Sequence, residues 1–150
     1  MRSDRCEPRG NALWNSKAQS PLSPVEMVVS ASVFATRWPK RAVTASIAGL
    51  TPTGSSIAYA VSKAGLIHLT RCMAVGLAPT ILVNCVAPGY LEGTRATANL
   101  DPTYQEQSRM GALLKRAADK DDIAEQVVAF CRTDSITGQT LAIDAGRFFH

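Results

Sequence analysis

Tyr59 and Lys63 stand four positions apart in the segment SSIAYAVSKAG, Ser55 to Gly65. On a helix that spacing puts both side chains on one face, where a phenol and an ammonium can converge on a shared ligand. A phenol with an ordinary pKa of about 10 is a poor base at neutral pH, and a neighbouring cation favours its phenolate. The pair therefore has the makings of a proton donor and acceptor. A hydroxyl opposite would hold a carbonyl or alcohol oxygen while Tyr59 exchanges the proton, and Ser46, at the end of an upstream strand, is placed to supply it. Taken alone the spacing is weak, because any helix can carry an amphipathic Tyr and a solvated Lys.

The elements that must position these residues follow from local pattern. AVTAS (Ala42–Ser46) reads as a strand running into the Gly/Pro/Thr-rich loop AGLTPTGSS. Ser55 or Ser56 caps a helix over Ile57–Val75, with Gly76 and Pro79 marking its end. Ile81–Val86 is a second strand, whose unbroken apolar character suits parallel pairing with cover on both faces. A long loop, Tyr90–Thr103, leads to helices over Tyr104–Arg116 and Asp121–Cys131, the second capped from Asp119, and to a last strand at Thr140–Ile143. Strands and helices alternating with connections this long imply an α/β architecture around three parallel strands. In such a sheet ligands bind beyond the carboxyl ends of the strands, where Ser46 and Pro88–Gly89 both lie.

At this point four motifs in order, ASIAGL with Ser46, Y-x-x-x-K at Tyr59 and Lys63, VNCVAPG, and ITGQTLAIDAG, resemble the C-terminal half of a short-chain dehydrogenase/reductase. The resemblance runs from about Arg41 to Phe148. It implies a Rossmann-like three-layer parallel sheet truncated to its last strands and helices, and an NAD(P)-dependent oxidoreductase acting on a small-molecule carbonyl/alcohol pair. By that likeness Tyr59 is the catalytic acid/base, Lys63 activates it and hydrogen-bonds the nicotinamide ribose, and Ser46 orients the substrate oxygen. Pro88, Gly89 and the backbone of Leu91 would border the nicotinamide of NAD or NADP, and Thr94 would reach its carboxamide or phosphate. The family spacing is P-G-x-x-x-T, whereas PGYLEGT places one more residue before Thr94.

The family's glycine-rich phosphate loop has no counterpart here, since Gly10 is the only glycine before Gly49. Residues 1–40 are accordingly read as an irregular or non-homologous segment, and residues 41–150 as the C-terminal part of a Rossmann-type dehydrogenase domain. The alternative reading is a catalytically inactive fragment that acts only as an interaction or oligomerisation partner of full-length relatives. The helix Ile57–Val75 is apolar or small almost all the way round, which a helix buried on one side does not need. With the likeness, that pattern predicts a homo-oligomer joined through this helix.

Composition excludes other classes. The chain has 150 residues with 46% hydrophobic content and a net charge of +4, enough for one domain with a core. Residues 1–41 hold seven Lys/Arg and three acids, so the remainder balances at nine of each. A neutral globular part gives no argument for nucleic-acid binding. No apolar run approaches the ~20 residues that span a bilayer, and MRSDRCEPRG lacks a secretory signal's apolar stretch, so a cytoplasmic location is expected. Cys6, Cys72, Cys85 and Cys131 form no C-x-x-C pair and read as reduced thiols, and two histidines give no metal site. Asn84 reads as a structural hydrogen-bonding residue, His68 as a surface or interface side chain, and Asp144 as a cap for the turn after the last strand.

Overall fold

The central strand is legible from its burial. The structure, a computed structural model, describes residues 39–149 with the exception of Ala96, so nearly all of the segment 1–40 lies outside the described residues. Strand β2 (Leu82–Pro88) is buried at all seven positions, which accounts for its continuous apolar run. Strand β1 (Lys40–Thr44) pairs with it in parallel from Lys40↔Leu82 to Thr44↔Val86. On the other side β3 (Thr140–Ile143) pairs in parallel from Cys85↔Thr140 to Pro88↔Ile143, giving the order β1-β2-β3.

Helix α1 (Ile57–Leu77) connects β1 to β2 and presents Ile67 and Ala74 to Val43, Ala45, Val83 and Cys85, the main apolar cluster. Successive strand residues point to opposite faces, so Leu82, Asn84 and Val86 need cover on the far side of the sheet. Helix α3 (Lys120–Arg132) packs on β1 and β2 and buries Phe130 and Cys131. The result is an α/β layer structure with a parallel sheet, as the motifs led one to expect.

Element ends differ from the sequence reading for identifiable reasons. β1 stops at Thr44 because Ser46 leaves the strand to cap a 3-10 turn, Ile47–Gly49, its Oγ accepting the Ala48 N–H at 3.2 Å. α1 starts where expected, with Ser56 accepting the Tyr59 N–H at 3.1 Å, but runs through Gly76 to Leu77 and stops only before Pro79. Helix α2 (Pro102–Gly111) begins earlier than expected, because Asp101 caps it with Pro102 in the first turn. It also ends earlier, because the N–H groups of Leu113 and Leu114 donate to the carbonyls of Gly146 and Ala145.

Among the described residues no helix is long and apolar enough to cross a membrane, and no group of His, Cys, Asp or Glu could hold a metal. Cys85 and Cys131 are buried free thiols and Cys72 is half-buried.

Candidate active site

Parallel strands put all their carboxyl ends on one edge, and the candidate residues gather there. Ser46 lies two residues past β1, Pro88 is the last residue of β2, and α1 begins at the same edge because the chain enters it from β1. The 3-10 turn headed by Ser46 is seated directly on α1. A side chain at Gly49 would meet the Lys63 carbonyl carbon at 2.5 Å and the Ala64 nitrogen at 2.7 Å, so the turn approaches the helix backbone to backbone. A side chain at Gly54 would touch Ala48 Cβ at 3.1 Å and the Tyr59 ring at 3.7 Å. Gly54 therefore sits close to both Ala48 of that turn and the Tyr59 ring.

Tyr59 and Lys63 share a face as their spacing requires. The Lys63 Nζ lies 5.6 Å from the centroid of the Tyr59 ring, within range of an attraction to the ring's negative face. Hydrogen bonds engage only the main chain of Tyr59, its N–H donating to Ser56 Oγ and its carbonyl accepting from Ser62 Oγ. Its hydroxyl has no acceptor among the described residues, and the residue is 38% exposed. Ser46 uses a lone pair on the Ala48 N–H, which leaves its own O–H free to donate.

The other predicted residues lie further round the edge. The Gly89 N–H donates to the Ile143 carbonyl at 2.9 Å, which fixes the Pro88–Gly89 turn against the end of β3. Leu91 makes a parallel bridge with Ala118. Thr94 is turned into its own loop: its Oγ1 lies 2.8 Å from Thr97 Oγ1, and Thr97 donates to the Leu91 carbonyl at 2.7 Å. That knot goes with the extra residue in PGYLEGT. No local pattern in the sequence marks Thr97 as the residue that closes this knot.

The loop is also strapped to α2. The Tyr90 hydroxyl donates to Gln105 Oε1 at 3.0 Å, and Arg109 pairs with both Glu92 and Glu106. Arg109 and Glu92 are too far apart in sequence for spacing to have revealed the pair. Asn84 is fully structural, donating to the Ile136 carbonyl at 2.8 Å and accepting the Gln139 N–H at 3.1 Å. His68 is exposed on α1. Beneath the site, burial pushes the Cys85 thiol above its ordinary range, partly offset by hydrogen bonding and by the Lys63 charge.

Comparison with known proteins places this arrangement in context. A family model described as enoyl-(acyl carrier protein) reductase matches residues 18–147. The short-chain dehydrogenase/reductase homolog YusR of Bacillus subtilis (strain 168) is 42% identical over 103 residues, 68% of this chain and 78% of that protein. The 3-oxoacyl-[acyl-carrier-protein] reductase FabG of Aquifex aeolicus (strain VF5) is 33% identical over 115 residues, 75% of this chain but only 46% of the relative. A crystal structure of a short chain dehydrogenase from Leptospira borgpetersenii with bound NAD+ superposes with a TM-score of 0.64 at 28% identity, covering 73% of this chain and 44% of that one. The chain therefore spans less than half the length of several proteins it matches.

Proposed function

Because the chain belongs to the short-chain dehydrogenase/reductase family, we propose that its site carries the reacting end of an NAD(P)-dependent interconversion of a carbonyl and an alcohol. One observation carries this reading. Among the described residues, neither the Ser46 hydroxyl, at the head of a turn pressed against the Lys63 segment of α1, nor the Tyr59 hydroxyl has a hydrogen-bond acceptor for its proton. Ser46 donates to the substrate oxygen and Tyr59 transfers a proton to or from it. Lys63 orients Tyr59 and offers its N–H groups to a sugar hydroxyl.

The donor set fits the nicotinamide-ribose end of the cofactor. Tyr59 and Lys63 would hold the ribose, Pro88, Gly89 and the Leu91 main chain would border the nicotinamide, and Thr94 would reach the carboxamide or phosphate only by giving up its bond to Thr97. When bound, NAD or NADP supplies or accepts the hydride. The 150 residues contain no glycine-rich phosphate loop, so the proposed contacts are confined to the reacting end of the cofactor.

The same chain is proposed to self-associate through α1, whose outward side leaves Val61 65% and Val75 56% exposed. Apolar area of that kind on a surface helix favours a partner. This surface alone would also serve the alternative reading, an inactive interaction partner, which is separated from the first by ligand binding. Titration of the purified chain with NADH and NADPH, followed by fluorescence, is expected to show saturable binding that Lys63→Ala weakens. No saturable binding of either dinucleotide, together with no turnover of any carbonyl substrate, would overturn the enzymatic reading.

A further inference from the structure

Asp144 is 8% exposed, directly follows β3, and plays no part in the chemistry described above. Its carboxylate is consumed by the main chain of the tail: Oδ1 accepts the N–H groups of Gly146 at 3.0 Å and Arg147 at 3.1 Å, and Oδ2 accepts that of Phe148 at 2.9 Å. Three convergent donors hold the tail in a tight turn with Ala145 at φ 57° and Gly146 at φ 77°. A non-glycine residue in that left-handed region persists only where its surroundings hold it there.

The turn reaches two other segments. On one side a side chain at Gly89 would meet Asp144 Cβ at 2.6 Å and its Cα at 2.8 Å, so the Pro88–Gly89 turn rests on the Asp144 backbone with no room between them. On the other side these two residues offer their carbonyls outward, Gly146 to the Leu113 N–H and Ala145 to the Leu114 N–H, at the exit of α2. A side chain at Gly146 would meet Leu113 Cβ at 3.2 Å, so this contact is also close. The loop bordering the site is in turn strapped to α2 through Tyr90–Gln105 and Glu92–Arg109.

We propose that Asp144 is a positioning residue: by fixing the tail, its carboxylate holds the turn on which both the Pro88–Gly89 turn and the exit of α2 rest. The inference rests on the reading of this edge as the nicotinamide side of the site, while the tether itself does not.

Amide hydrogen exchange on the full chain separates the two. In Asp144→Ala the amides of Gly89, Leu113 and Leu114 should exchange about tenfold faster while those of β1 and α1 keep their protection. Asp144→Asn, which keeps one acceptor oxygen, should restore part of it. Gly89→Ala should produce the same pattern from the other end, loosening Leu113 and Leu114 although they lie far from it in sequence. Should Asp144→Ala lose protection throughout β2, it has unfolded and the Asn and Gly89 variants decide the matter. Faster exchange confined to Gly146, Arg147 and Phe148 in all variants would overturn the proposal and leave Asp144 a local cap. NADH titration adds the functional arm: binding weakened at least fivefold in Asp144→Asn supports positioning of the site. Absence of binding in the unmodified chain would count against the enzymatic reading, while the exchange pattern still decides the tether.

Discussion

Gly49 lies against the main chain of Lys63 with no space for a methyl group between them, a side chain there falling 2.5 Å from the Lys63 carbonyl carbon. Backbone cannot yield as a side-chain tip can. Gly49→Ala should therefore lift the 3-10 turn off α1, cost about 1–3 kcal/mol of stability and carry Ser46 away from Tyr59. Gly65→Ala is the control, because a side chain at Gly65 meets nothing within 4 Å. It should be neutral or stabilise by up to about 1 kcal/mol. Thermal unfolding of the two variants checks the contrast.

Tyr59→Phe removes a hydroxyl that no described protein group accepts. Stability should change by less than about 0.5 kcal/mol, while any carbonyl reduction should fall by about 100-fold to 10,000-fold. Ser46→Ala should lose activity and also about 1 kcal/mol, since the same oxygen caps the Ala48 N–H. Paired melting and turnover measurements distinguish the two signatures, and equal activity in Tyr59→Phe would exclude it as the proton carrier.

Asn84→Ala should destabilise by about 2–3 kcal/mol, because the Ile136 carbonyl and the Gln139 N–H would each lose a buried partner. Both lie in the segment that delivers β3, so exchange protection should drop first at Thr140–Ile143. Urea unfolding followed by exchange mass spectrometry measures both.

Burial raises the Cys85 thiol above its ordinary value of 9.0. The folded state then keeps a proton that the unfolded chain releases, so the contribution of this group is complete below pH 9 and is lost as the pH rises through the folded value. The stability difference between the natural chain and Cys85→Ala should accordingly shrink above pH 9. A difference that stays constant from pH 7 to pH 10 would contradict it. At pH 8 the half-buried Cys72 should react with a thiol reagent before Cys85 and Cys131.

Val61→Glu places a charge on the outward side of α1, where Val61 makes no core contact. Light scattering should show a smaller particle than for the natural chain, with an unchanged melting temperature for the isolated fold. A natural chain that scatters as a monomer at micromolar concentration would remove α1 as an assembly surface.

Much of the site could be read from sequence because its signals are local. Tyr59 and Lys63 are one helical turn apart, Ser56 announces the helix start, and the apolar run of β2 can be satisfied only by a strand covered on both faces. What escaped the sequence depends on partners far along the chain. The end of α2 is set by carbonyls at 145 and 146, and Arg109 meets Glu92 through the fold alone. Thr94, placed by the resemblance at the carboxamide or phosphate, is bonded to Thr97 within its own loop.

Every rung of the sheet joins residues dozens of positions apart, Lys40 with Leu82 on one side and Cys85 with Thr140 on the other. Neither pairing can begin as a hairpin, so the entropy of closing a large loop is met before any ladder bond is gained. α1 can form from its own local bonds within about a microsecond, but β2 must wait for both neighbours to arrive. Refolding of this chain should therefore be slow for its size, on the order of milliseconds to seconds, with early helical signal and late protection of the central strand.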